Sequence, residues 1–364
     1  MRRLGRALCA GLPALLLAAC GGAAGPPERP TRPLVGVILP DTESSARWEE
    51  QDRPQLQRAL EAEGLEPVVE NARNDEFRFA SIADDLIARG VAVLLITPLT
   101  PEGGATVEHK ARKAGIPVID YDRFSVGGAA DYLVSFDNEA VGELQARGLV
   151  DCMGDRRGAR VIELQGAPQD NNAMQFADGQ RRVLGPRYER GDYRLVASTS
   201  ADRWDPLLGR ARFEQALNDS GGRVDGVLAA NDRLAAAAIQ VLRARGLAGK
   251  VPVTGQDATV DGLRAVLRGE QCLTVHKSIR DEAEAAARLA SALADGDVAR
   301  ADALASATTE DPTNGRRVRA VLLGAVPVHR DGVRVLVASG VVRAEELCVP
   351  DLERTCAELG IAPR

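Results

Sequence analysis

The sequence predicts an α/β protein made of two doubly wound parallel-sheet units, and three observations carry that prediction. Short apolar runs alternate with helix-like stretches, which is the pattern of parallel βαβ units. The rhythm pauses after residue 123 and restarts at Leu133. Finally, 364 residues exceed what one ordinary hydrophobic core supports, so two domains are expected.

The elements follow in order. Leu34-Val35-Gly36-Val37-Ile38-Leu39 reads as a buried strand, and a helix over 51–63 ends at Gly64. Pro67-Val68-Val69 is a second strand, before a helix over 77–89 that Gly90 ends. A third strand spans 91–96, a helix covers 105–114 up to Gly115, and Ile116-Pro117-Val118-Ile119 is the fourth strand. Glycine just past each helix suits the left-handed conformation that closes a C-terminus. The second series runs through strands at 133–136, 160–164, 194–198, 226–230 and 251–254. Helices over 139–152, 172–184, 207–218, 234–245 and 260–268 fill its gaps, and the alanine-rich stretch 281–294 is a strong helix by propensity.

The first residues bear on compartment. Arg2, Arg3 and Arg6 precede an Ala/Leu-rich stretch over 7–19 that ends in Leu17-Ala18-Ala19-Cys20. This is a signal peptide over 1–19, too short to span a bilayer. The Leu-Ala-Ala-Cys segment followed by Gly21 resembles a lipobox, which makes Cys20 the acylated first residue of the mature chain, on a Gly/Pro/Ala-rich tether over 20–33. Losing the three arginines with the signal takes the formal charge from −6 to −9. An exported acidic chain is a poor nucleic-acid binder, which needs a basic face. Four cysteines remain. Cys348 and Cys356 are the expected disulfide near the end of the chain, while Cys152 and Cys272 read as buried thiols. No Cys/His spacing suggests a metal, and no cofactor is implied.

Ligands of open parallel sheets bind beyond the carboxyl ends of strands. Those positions here carry Asp41 and Arg47-Trp48, Asp120-Tyr121-Asp122-Arg123, Asp170-Asn171-Asn172, Asn231-Asp232, Gly255-Gln256-Asp257 and His276-Lys277. Carboxylates, amides, guanidiniums and an ammonium suit a ligand with many hydroxyls. Each Asp or Asn alone also fits a helix cap. Aromatics are 3% of the chain, yet both tryptophans, Trp48 and Trp204, follow an arginine in loop-like stretches. An indole face beside fixed guanidinium donors suits a sugar ring, although Trp is also highly buried on average and fits plain packing.

These residues resemble the type I periplasmic sugar-binding proteins of ABC importers, in the xylose-binding and multiple-aldose-binding branch. The matching stretches are Ser45-Ala46-Arg47-Trp48, Tyr121-Asp122-Arg123, Ser135-Phe136-Asp137-Asn138-Glu139, Asp170-Asn171-Asn172-Ala173, Arg203-Trp204-Asp205-Pro206, Ala230-Asn231-Asp232, Gly255-Gln256-Asp257-Ala258 and Thr274-Val275-His276-Lys277. They cover roughly residues 34–346. The resemblance implies two lobes joined by a three-strand hinge: 34–133 with 277–310, and 134–276 with 311–346, leaving a tail over 347–364. It implies that Trp48 and Trp204 sandwich a pyranose, with Arg47, Asp122 and Arg123 from the first lobe. Asp170, Asn172, Asn231 and Asp257 reach it from the second, and Lys277 from the hinge; Asp41 is a weaker candidate. His276 departs from the Tyr or Phe common in that family, and the segment around 316–323 lacks the usual Val-Pro-Ser-type sequence.

The implied function is capture of a monosaccharide, D-xylose first, for an ABC permease, by a monomer lipid-anchored on the outer face of the cytoplasmic membrane. Glucose, galactose or arabinose are alternative ligands, and a receptor component signalling to a membrane kinase would use the same site. An exported glycosidase would need two suitably spaced carboxylates. Asp122 and Asp170 could supply them, but their Arg and Asn neighbours favour binding, not catalysis.

Overall fold

The computed structural model describes residues 32–154 and 156–361. The expected signal, the tether up to residue 31 with Cys20, and residues 362–364 lie outside that range. Strands β1 (Leu34–Leu39), β2 (Glu66–Asn71), β3 (Val93–Ile96), β4 (Val118–Tyr121) and β5 (Tyr132–Phe136) are parallel neighbours in the order β2-β1-β3-β4-β5. Strands β6 (Ala159–Gln165), β7 (Tyr193–Ser200) and β8 (Gly226–Ala229) make a second parallel sheet in the order β7-β6-β8. The strand expected over 251–254 reaches this sheet only as a bridge between Val253 and Val227. Pro252 lies within it, and proline is confined to sheet edges.

The rest of the chain returns to both sheets. β9 (Thr274–Lys277) leads into the helix Ile279–Ala294. β10 (Ala307–Glu310) and β11 (Arg317–Leu323) then extend the first sheet to seven strands, β11 parallel to β5 and β10 antiparallel at the edge. β12 (Ala325–Val328) pairs antiparallel with β9 as a separate two-stranded ribbon. The antiparallel pairs are additions to the expected parallel pattern.

Period-two alternation explains the layers. Val35, Val37 and Leu39 pack with the helices Arg53–Ala62 and Ile279–Ala294 on one face of the larger sheet. Ile38 on the other face joins Phe79, Ala83 and Leu86 of the helix Glu76–Ala88 and Val107 of Pro101–Lys113. The smaller sheet is covered likewise. Ile162 and Leu164 meet Phe213, Leu217 and Leu234, whereas Val161 and Leu228 meet Leu149, Met153 and Leu184. With both faces covered, the strands are near-continuous apolar runs, which made them legible.

One expectation is corrected. Cys152 and Cys272 are a disulfide with Cα atoms 6.4 Å apart, and Cys152 is exposed instead of buried. Gly148 seats Leu273 directly against the helix Asn138–Met153, where an added Cβ would overlap the leucine. That contact brings the last turn of the helix beside residue 272. His329 approaches the pair, but with both sulfurs joined it is the single ionisable ligand left in that cluster. Cys348 and Cys356 are joined as well. The segment around them is no loose tail: Leu336, Leu347, Leu352, Cys356 and Ile361 bury against Leu263 and Leu267 of the helix Val260–Arg268.

Candidate ligand-binding site

All ten residues singled out as ligand contacts line one cavity: Arg47, Trp48, Asp122 and Arg123 beside the larger sheet, Asp170, Asn172, Trp204, Asn231 and Asp257 beside the smaller one, and Lys277 on β9. The cavity holds about 310 Å³ of empty space. An open cleft elsewhere, about 1200 Å³ by the same measure and lined by Arg156, Arg157, Arg187 and Arg190, contains none of them.

Arg47 is the centre of the first half. Its side chain is 2% exposed, and its guanidinium donates to Asp52 through Nε at 2.8 Å and Nη2 at 2.7 Å. It also donates to Asp122 at 2.8 Å and to Glu282 at 2.6 Å. The backbone over Trp48–Asp52 is a π-helix, whose wider turn sets Asp52 opposite a side chain five residues earlier. Tyr121 donates to the same Asp52 at 2.7 Å. Arg47 lies 4.4 Å, and Arg123 5.3 Å, from the Trp48 ring centre. Burial alone would raise the Asp122 carboxyl, but Lys277, Arg47 and Arg123 overbalance it and hold it at about 2. Asp122 is therefore ionised and can only accept hydrogen bonds.

In the second half, two of the five lining residues are also helix caps. Asp170 caps the helix Asn171–Glu189 through Oδ1, while its Oδ2 accepts from Trp204 Nε1 at 2.9 Å and meets Arg123 at 3.2 Å. Asn231 caps the helix Asp232–Ala244 through Oδ1, and its Nδ2 donates to the Ser44 carbonyl at 3.1 Å. Asn172 donates to the Asp122 carbonyl at 3.0 Å and Oδ1 at 3.1 Å, and Ser45 donates to Asp257 at 3.0 Å. Lys277 lies 3.6 Å from Asp122 and 3.4 Å from Asp257, joining carboxylates from both halves.

Backbone strain gathers here. Asp122, Trp204 and Asp257 have φ of 65°, 59° and 93°, in the left-handed region that non-glycine residues avoid. Trp204 also depends on a glycine: a Cβ at Gly166 would overlap its six-membered ring.

Four lining residues were missed: Ser44, Ser45, Phe176 and Gln256. Ser44 and Ser45 stand one residue ahead of Arg47-Trp48, across Ala46, and that proximity was the available signal. Asp41 does not line the cavity; its carboxylate accepts from Ser44 N at 2.7 Å and Ser44 Oγ at 2.8 Å, shaping its own loop. His276 alternates away from Lys277 along β9 and faces a separate cleft with Glu50 and Gln51.

This architecture, two parallel sheets whose strand ends share a polar cavity, defines a two-part ligand-binding protein. Residues 35–297 match the periplasmic binding protein domain, and the chain belongs to that family, with its type I fold. Membership makes it a binding protein and not an enzyme. It is 34% identical to the D-xylose-binding periplasmic protein of Escherichia coli over 86% of this chain and 92% of that one. Identity to the multiple sugar-binding periplasmic receptor ChvE of Rhizobium radiobacter is 33%, over 86% and 92%. Among solved structures, the carbohydrate transporter solute binding protein of Chloroflexus aurantiacus in complex with D-glucose superposes with a TM-score of 0.77, at 29% identity, covering 87% of this chain and 98% of that chain.

Proposed function

We propose that the protein captures a monosaccharide, an aldopyranose with D-xylose as first choice, and delivers it to the permease of an ABC importer. The observation that carries this is the single cavity in which Trp48 and Trp204 join carboxyl groups, guanidiniums, amides and an ammonium from beside both sheets. Indole faces take the C–H surface of a sugar, and the polar groups discriminate, because a buried hydroxyl without a partner costs about 1–3 kcal/mol. The lobe built on β1–β5 and the lobe built on β6–β8 close on the ligand, which favours closure through contacts made only then. Trp48, Arg47, Asp122 and Arg123 act from the first lobe, Asp170, Asn172, Trp204, Asn231 and Asp257 from the second, and Lys277 from the crossing strand. Acylation at Cys20 holds the monomer at the outer face of the cytoplasmic membrane.

Titration calorimetry with xylose, glucose, galactose and arabinose tests the reading. Micromolar or tighter binding of at least one is expected, and absence of both heat and thermal shift with all four would overturn it. The relative called a receptor favours a second reading, in which occupancy is passed to a membrane sensor. Co-purification of the sugar-loaded protein with a kinase instead of a permease would select it.

A further inference from the structure

Glu282 lies in the first turn of the helix Ile279–Ala294, is fully buried, and belongs to no motif noted above. Its Oε2 accepts from Arg47 Nη2 at 2.6 Å, and its Oε1 is buried with no hydrogen-bond partner. Arg47 thus faces three carboxyl groups, Asp52, Asp122 and Glu282. Lys277, the other cation near Glu282, is shared between Asp122 and Asp257. Fully ionised, this buried cluster would set Asp52, Asp122, Asp257 and Glu282 against Arg47 and Lys277, with Arg123 aiding Asp122 but already paired with Asp170, and would leave one Glu282 oxygen that no donor reaches. A buried anionic oxygen without a donor is far costlier than a neutral one.

We infer that Glu282 is a proton-bearing positioning residue of the sugar site: as a neutral acid it fixes the Arg47 guanidinium, leaving Asp122 to present the charge that ligand hydroxyls meet. The inference rests on the sugar-site reading for its consequence, though not for the proton itself. Burial pushes the Glu282 carboxyl well above the usual carboxylate range; Arg47 and Lys277 oppose that shift, and Asp122 and Asp52 add to it. Tyr121, whose hydroxyl faces Asp52, completes the titratable groups around it. Raising the pH ionises Glu282, which then competes with Asp122 for Arg47, so sugar affinity falls on the alkaline side.

The test compares the wild-type mature chain with Glu282→Gln and Glu282→Leu. Infrared difference spectra at neutral pH are expected to show a protonated-carboxyl C=O band in the wild type that Glu282→Gln removes. Calorimetry with the aldose the wild type binds best is expected to show Glu282→Gln within about threefold of wild type, with no alkaline loss of affinity, and Glu282→Leu weaker by about tenfold or more. Loss of no band, or Glu282→Leu binding as tightly as wild type, overturns the inference. If Glu282→Leu does not fold, the band and the pH profile of Glu282→Gln decide. A wild type that binds no aldose defeats the sugar reading alone, because the infrared result still reports the proton.

Discussion

Asp170 and Asn231 each close a helix with one atom and serve the cavity with another, so capping and site roles, which the sequence left as alternatives, coincide. The ten residues that line the cavity together were named through the family resemblance, and all but Trp204 also stand in the polar stretches that follow strands. Glu282 and Asp52 were not, since nothing in a linear pattern shows which carboxyls a buried guanidinium collects. Trp204 offers a clean probe. Gly166→Ala pushes its ring from the cavity, and sugar affinity should fall by about tenfold or more, with overpacking costing about 1–3 kcal/mol of stability. Calorimetry and thermal melts separate the two effects; unchanged affinity would remove Trp204 from the site. Asp232 makes a second probe. It accepts from Gln271, Thr274 and Thr259, yet burial pushes its carboxyl up to about 7 from 3.8. Stability from the neutral form is complete below the unfolded value and is lost as pH rises through about 7. Asp232→Asn should therefore show a flatter decline in Tm than wild type between about pH 4 and pH 7. Parallel curves would contradict this.

At the scale of elements, the helices Asn138–Met153 and Asn171–Glu189 touch backbone to backbone. A Cβ at Gly142 would meet the Phe176 carbonyl, and one at Gly179 would meet the Glu139 carbonyl. Neither obstacle is a flexible side chain, so Gly179→Ala should cost upwards of about 2 kcal/mol in denaturant unfolding. A loss below about 0.5 kcal/mol would mean the helices slide apart freely. The helices and parallel strands were readable from apolar spacing and terminal glycines. The π-helix at Trp48–Asp52 was not, because it is fixed by the Arg47–Asp52 pair instead of by local propensity. The antiparallel pairs β10–β11 and β9–β12 escaped for other reasons: β10 and β12 are short and largely exposed, and Arg317 and Arg319 interrupt the apolar residues of β11.

For the whole molecule, the Cys152–Cys272 bridge spans 120 residues, and the Cys348–Cys356 bridge spans 8. Chain-entropy arguments assign the long closure about 4–5 kcal/mol and the short one about 2–3 kcal/mol. Cys152→Ser should therefore lower Tm more than Cys348→Ser, as read by calorimetric scans; the reverse order would show that the C-terminal segment governs unfolding. The bridge was illegible because a 120-residue separation leaves no sequence trace.

Lys277 stands on the β9–β12 ribbon, between a carboxylate of each half and five residues beyond a covalent staple at Cys272. In the proposed clamp, a ligand that meets Lys277 bears on the crossing ribbon directly, without a relay of side-chain shifts. Lys277→Met should weaken capture and closure together, since one ammonium serves both the cavity and the join, as calorimetry and small-angle scattering with and without sugar would read.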